Sequence, residues 1–142
     1  EIEINNLFSH SYHGKSHVTD RTEDISQYNI SSGDITSWNI TNIKVLKIAE
    51  YKKLHAETWP GILEMISKCN IKNYSIYLNE AENLLFGYWE YTGEDFSSDA
   101  AKMAADPLTQ KWWDVCMPMQ KPLASRAEGE WWSMMEEVFH HE

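Results

Sequence analysis

Tyr51, His55 and Trp59 stand four residues apart in AEYKKLHAETWP, residues 49–60. At about 100° per residue of helix, that spacing puts the three side chains in one narrow stripe. Ile48, Ile62 and Ile66 fall on the same stripe, so a titratable imidazole sits in the middle of a face that should be buried. Its unperturbed pKa, about 6.5, lets it give and take protons near neutral pH. Two readings follow. His55 is a core residue satisfied by one hydrogen bond, or, walled by Tyr and Trp, it is the acid/base group of a small site for a neutral ligand of sugar type.

Other titratable groups compete poorly for that role. Glu50, Glu57 and Glu64 lie largely off the His55 stripe, as solvated residues would. Glu90, deep in an aromatic strand pattern, is either a second polar group of the site or the partner of a Lys or Arg. His10, His13 and His17 suit no single helix face, and His140-His141-Glu142 at the chain end should alternate sides of a strand. Cys69 and Cys116 form no CxxC pair and neighbour no His cluster. No metal site and no cofactor are expected from these patterns.

With 142 residues, 42% of them hydrophobic and 13% aromatic, the chain can bury one core. A formal charge of −10 argues against nucleic acid or an anionic membrane as partner. No apolar run approaches the roughly 20 residues of a membrane helix, and EIEINNLFSH has no signal-peptide pattern. The two cysteines read as reduced core thiols of a cytoplasmic protein, although one disulfide remains open. Asn29, Asn39 and Asn73 each head an N-x-[ST] triplet, a short pattern that arises often by chance.

Composition changes near residue 40. Residues 1–35 are polar and aperiodic, an N-terminal arm lying along a body formed by residues 36–142. NITNIKV (39–45) is a weak strand. Residues 47–69 form a long helix broken near Trp59-Pro60-Gly61, because proline cannot donate to the helix ladder. NYSIYL (73–78) and NLLFGYWEY (83–91) make a hairpin around a turn at 79–83. Gly93 and Asp95 open a second helical region, restarted by Asp106-Pro107 and running through Trp112-Trp113. Residues 118–130 read as a loop and 132–140 as a final strand. The order is β-α-β-β-α-β, a ferredoxin-like α+β fold whose antiparallel sheet carries two helical regions on one face. Strands this aromatic leave a second face to cover, and a homodimer packing sheet on sheet covers it.

Taken together, EYKKLHAETWP (50–60), NYSIYL (73–78), NLLFGYWEY (83–91), MAADPLTQKWW (103–113) and EVFH (137–140) resemble the L-rhamnose mutarotase family in wording and order. The resemblance covers about residues 47–142, whereas TSWNITNIKVLKIAEY (36–51) departs from the family's opening strand and its Lys-Pro turn. It implies a dimeric ferredoxin-like α+β barrel that interconverts the α and β anomers of L-rhamnose without cofactor. It also implies that His55 is the acid/base residue and that Tyr51, Tyr74, Trp112 and Trp113 bind the sugar. Trp59 and Trp89 are expected in the core, and Trp131-Trp132 at the pocket or the dimer interface. Adjacent helix residues point about 100° apart, so one of Trp112 and Trp113 could be core and the other wall.

Two other functions stay open on the sequence. One is a sugar-binding protein of the same fold without turnover. The other is a ferredoxin-like oxygenase, cofactor-free or with haem on a helix histidine, since one fold hosts many chemistries.

Overall fold

The computed structural model describes residues 35–142. The arm expected over 1–35, with His10, His13, His17 and Asn29, lies outside them except for Ile35, which opens the first strand. In chain order the elements are β1 (Ile35–Ile43), a 3₁₀ turn (Val45–Lys47), α1 (Ile48–Ala56), α2 (Pro60–Lys68), β2 (Ile71–Asn79) and β3 (Leu84–Tyr91). There follow α3 (Phe96–Ala105), α4 (Pro107–Cys116), a 3₁₀ turn (Met117–Met119), β4 (Gln120–Lys121) and β5 (Ser133–Met134). Every pairing is antiparallel, in the order β2-β3-β1-β4, with β5 also on β1. This is the ferredoxin-like arrangement, with each helical region split in two.

Local chemistry explains the splits. Thr58 Oγ1 donates to the His55 carbonyl at 2.9 Å, closing the end of α1. Trp59 is extended (ψ 130°), as the residue before a proline must be, and Pro60 starts α2 in the first helical turn. Asp95 caps α3 by accepting from Ser98 N at 3.0 Å. Asp106 caps α4 by accepting from both the backbone N and the hydroxyl of Thr109, at 2.9 and 2.7 Å.

The sheet departs from expectation at both chain ends. The first strand, expected at 39–45, runs 35–43. Its inward residues are Ser37, Asn39, Thr41 and Ile43, opposite or beside the buried Trp89, Gly87 and Leu85 of β3, whereas Trp38 and Ile40 face the other way. Polar-in, apolar-out is the reverse of the usual half-buried strand, so the pattern hid it. The loop expected at 118–130 contains β4, and the final strand expected at 132–140 is only Ser133–Met134. Both short pieces share one edge of β1: β4 pairs with Asn42 and Ile43, and β5 with Asn39 and Ile40. After Met135, whose N–H still reaches the Trp38 carbonyl at 3.0 Å, the tail leaves that edge. It runs beside Trp38 and Tyr88 on the open face, with Val138 and Phe139 exposed.

The core lies between the inward sheet face and the four helices. Trp89, Tyr91, Leu85 and Trp132 are its most deeply buried large side chains, with Trp89 stacked on Phe96 (ring centroids 5.6 Å apart, planes at 6°). Trp89 is thus core, as expected; Trp132 is core too, rather than part of a pocket or an interface. A buried polar knot ties α3 to the hairpin: the Asp99 carboxylate accepts from Tyr91 Oη at 2.7 Å, Asn70 Nδ2 at 2.8 Å and Lys102 Nζ at 2.9 Å.

Gly87 is a strand glycine required by close approach. A Cβ there would collide with the Asn39 carboxamide and press on the Trp132 ring at 3.3 Å. Gly87→Ala should therefore destabilise the fold by about 1–3 kcal/mol through overpacking. Urea unfolding monitored by tryptophan fluorescence measures it, and an unchanged midpoint would show that the site relaxes freely.

Candidate active site

The site is built upward from α1. His55 Nδ1 lies 2.9 Å from the carbonyl oxygen of Tyr51, one turn earlier. A carbonyl only accepts, so Nδ1 carries the ring proton and Nε2 keeps its lone pair. The Tyr51 ring stacks on the imidazole at 4.1 Å and 27°, while Trp112 of α4 meets it edge-on at 5.2 Å and 64°. Trp59 backs Trp112 at 5.1 Å and 76°, a supporting place rather than a wall. The imidazole is thereby held in one tautomer and one orientation.

His55 lines a cavity of about 350 Å³ between the helices and the sheet. Tyr51 and His55 enter from α1, Ile62 and Ile66 from α2, Tyr74 and Ile76 from β2, and Trp112, Trp113 and Cys116 from α4. All five residues singled out in the sequence meet here: Tyr51, His55, Tyr74, Trp112 and Trp113. Both tryptophans reach the wall although they are neighbours on α4. The volume falls in the roughly 300–1,000 Å³ range of small-molecule sites.

Tyr74 reaches the cavity because of an irregularity in β2. The register with β3 slips between Lys72 and Ser75, so one extra residue is inserted there. Without it, the alternation that starts at buried Ile71 would turn Asn73 inward and Tyr74 outward. Asn73 takes the left-handed conformation (φ 48°), which Asn tolerates better than most residues. Its Nδ2 donates to Glu90 Oε2 at 2.6 Å, and Tyr88 Oη donates to Glu90 Oε1 at 2.7 Å. Glu90 therefore sits on the open face, away from the cavity, where it holds the bulge; its partners are an Asn and a Tyr, not a cation.

One further wall residue, Gln120, is held by a side chain behind it. Gln120, at the start of β4, shares the inward face with Ile43 and donates from Nε2 to Tyr51 Oη at 3.1 Å. Trp131 Nε1 donates to Gln120 Oε1 at 2.8 Å. Trp131 was expected at the pocket or the dimer interface, whereas Gln120 was not singled out; these contacts join residues 69 and 11 apart in the chain. Thr58 also lines the cavity.

Burial governs the protonation of the whole site. It lowers the His55 pKa below 6.5, against a weaker opposing effect of the bond to the Tyr51 carbonyl. Burial raises the Tyr51 and Tyr74 phenols above their usual range, with nearby Cys116 adding to the effect on Tyr51, and pushes the Cys116 thiol to about 12. Near neutral pH the wall is uncharged, with one free imidazole lone pair and two phenols that keep their protons. Among the described residues, no group of three or more His, Cys, Asp or Glu side chains could hold a metal ion, and no helix is long and apolar enough to cross a membrane. Cys69 and Cys116 are both free and buried.

The family model described as L-rhamnose mutarotase matches residues 38–141. The chain belongs to the L-rhamnose mutarotase family. An L-rhamnose mutarotase of Phocaeicola vulgatus is 43% identical over 65 residues, 46% of this chain and 60% of that protein. One of Oceanobacillus iheyensis is 42% identical over 72 residues, 51% of this chain and 66% of that protein. The chain thus spans under two thirds of the length of these curated relatives. The crystal structure of L-rhamnose mutarotase FA22100 from Formosa agariphila superposes with a TM-score of 0.57 at 21% identity, covering 76% of this chain and 99% of that one. That likeness confirms the ferredoxin-like fold. The family match begins at Trp38, inside β1, so it includes a strand whose wording departs from the family pattern.

A lowered His55 pKa has a definite consequence for stability. The unfolded chain takes up this proton below about 6.5, the folded chain only at lower pH. Between the two values the unfolded state binds more protons, so His55's contribution is complete above 6.5 and is lost as pH falls through the window. NMR titration of the His55 ring should give a midpoint below 6.5, and a midpoint at or above 6.5 would refute the desolvated environment.

Proposed function

We propose that this chain is an L-rhamnose mutarotase, an isomerase interconverting the α and β anomers, with His55 as its acid/base residue. The observation carrying this reading is the imidazole tautomer fixed by Tyr51: a neutral ring with a lone pair at Nε2, on the wall of a cavity of monosaccharide scale. Nε2 takes the proton from the anomeric O1–H. The C1–O5 bond then breaks, its electron pair goes to O5, and C1=O1 becomes an aldehyde. The proton passes from Nε2 to O5; both oxygens hang from C1, so one nitrogen serves both. Rotation about C1–C2 and closure on the other carbonyl face, by the reverse steps, gives the other anomer. Every atom ends at the oxidation state it began with, so the cycle calls for no redox partner.

The binding roles fall to Tyr51 and Tyr74, whose protonated phenols donate to sugar oxygens, and to Trp112 and Trp113, whose faces suit the C–H side of the ring. Ile62 and Ile66 offer an apolar patch for the C6 methyl that distinguishes a 6-deoxy sugar. A cavity of about 350 Å³ favours a monosaccharide over a haem macrocycle. Two buried free thiols agree with a reducing compartment, and we assign the protein to the cytoplasm.

The decisive experiment is saturation transfer between the anomeric protons of L-rhamnose at equilibrium. Wild type should exchange magnetisation between them, whereas a sugar-binding protein without turnover would broaden the signals without exchange. His55→Ala should slow exchange by about 10²-fold or more while sugar affinity changes little, the usual scale for an acid/base group. Wild-type exchange in a folded His55→Ala protein would sink the assignment.

The homodimer belongs to the same reading. The open sheet face carries Trp38, 49% exposed and against Tyr88 at a ring-centroid distance of 4.4 Å, and Tyr77, 62% exposed. The tail adds exposed Val138 and Phe139 beside that face. A second copy covers these residues face to face, so light scattering should return twice 16.6 kDa. A monomer mass at micromolar concentration would refute it.

A further inference from the structure

Gln120 has both halves of its amide committed. It is 5% exposed and lies on the cavity wall. An indole N–H can only donate, so the 2.8 Å contact with Trp131 Nε1 requires Oε1 on that side. Nε2 must then face Tyr51, where it donates to the phenol oxygen at 3.1 Å. The amide orientation is therefore dictated by chemistry rather than chosen. Since the Tyr51 oxygen receives that hydrogen bond, its own O–H is left to point at another acceptor, and Tyr51 lines the cavity.

We propose that Gln120, locked by Trp131, is a positioning residue that fixes the polarity of Tyr51, making its hydroxyl an obligate donor toward a sugar oxygen. This rests on the mutarotase reading for its ligand and goes beyond it in giving the site a preset direction. His55 Nε2 is the acceptor on α1 and Tyr51 Oη is the donor one turn away. The relay Trp131 → Gln120 → Tyr51 ends on the sugar's ring oxygen, where negative charge develops as C1–O5 breaks. Hydrogen-bond donors fixed in advance at such an oxygen act without reorganisation during the reaction.

Gln120→Glu is the near-isosteric test. The ionised carboxylate can still accept from Trp131, but it also accepts from Tyr51, turning the phenol proton away from the cavity. When protonated, the same carboxyl donates to Tyr51 again. The other titratable groups on the wall are Tyr51 and His55 of α1, Tyr74 of β2 and Cys116 of α4. They are common to variant and wild type, so the ratio of the two isolates the new carboxyl. At pH 7.5 the variant's exchange rate at saturating L-rhamnose should fall by about 10- to 100-fold, approaching the scale for loss of one preorganised donor. The variant-to-wild-type ratio should climb as pH falls. Gln120→Met should lose rate without that recovery. A second readout avoids turnover: 1,5-anhydro-L-rhamnitol keeps the ring oxygen, has no anomeric hydroxyl and cannot mutarotate. Its affinity, by NMR titration, should drop at least tenfold in folded Gln120→Glu at pH 7.5 and recover toward wild type at pH 5.5. If the pH-dependent loss of probe affinity in Gln120→Glu is seen yet wild type exchanges no anomers, the mutarotase reading fails and the Gln120 assignment stands. If wild type does not bind it, or variant and wild type bind it equally at both pH values, the Gln120 assignment is overturned.

Discussion

Burying Tyr51 and His55 between three helices and the sheet removes the water that would otherwise satisfy their polar atoms. Each such atom must find a protein partner or stay available to a ligand. His55 Nδ1 is satisfied by its own helix, through the Tyr51 carbonyl. The Tyr51 oxygen is satisfied from β4, through Gln120, which is itself satisfied by Trp131. What remains after this pairing is one lone pair on Nε2 and the phenol protons. The same desolvation keeps the imidazole neutral and the phenols protonated. Packing and protonation are thus one effect seen twice.

The sheet supplies the floor on which that pairing is possible. β1 sits centrally, bonded to β3 along one edge and to β4 and β5 along the other. Because the last strand is split, β4 can present Gln120 inward beside Ile43 while the chain returns through Trp131 to β5. One continuous strand would not bring Trp131 back against Gln120. On the far side of the sheet, the bulge at Asn73 does the equivalent for Tyr74. Its clasp by Glu90 and Tyr88 lies on the open face, so the geometry of the cavity depends on a contact made outside it.

Legibility in the sequence followed the range of the interactions. The helix pair interrupted at Pro60, the Asp95 and Asp106 caps and the β2–β3 hairpin are written in residues three or four apart, and the structure agrees with each. The five cavity residues were named from a stripe of helix and from family wording, and they do converge. Regions decided by distant contacts were misread. β1 buries Ser37, Asn39 and Thr41 against a glycine and a tryptophan of β3, so its alternation runs backwards. β4 and β5 have two residues each, too few to show a period. Gln120 looked like loop chemistry because nothing local marks an amide for a partner 69 residues upstream. Glu90 read as either a second polar group of the site or the partner of a Lys or Arg, because an acid within an aromatic strand is unusual, yet strand parity alone puts it opposite Thr36 on the open face.

The uncharged wall also bears on which ligands the cavity can accept. Among the described residues, no Asp, Glu, Lys or Arg lines it, and His55 is neutral near pH 7. A phosphorylated or acidic sugar would bring an anion into a desolvated space without a cation to pair it, at a cost of several kcal/mol. The chain's net charge of −10 opposes the same ligands at longer range. A neutral sugar needs only hydroxyl partners, and Tyr51, Tyr74, Thr58 and His55 provide them, while the indoles take its apolar face. Selectivity against anions and the neutrality of His55 therefore share a cause. A cation on the wall to welcome phosphates would further disfavour the imidazolium that the proposed cycle requires when Nε2 takes the anomeric proton. On the proposed mutarotase reading, the features that suit His55 to shuttle a proton would thus also restrict the ligands of the cavity to neutral ones.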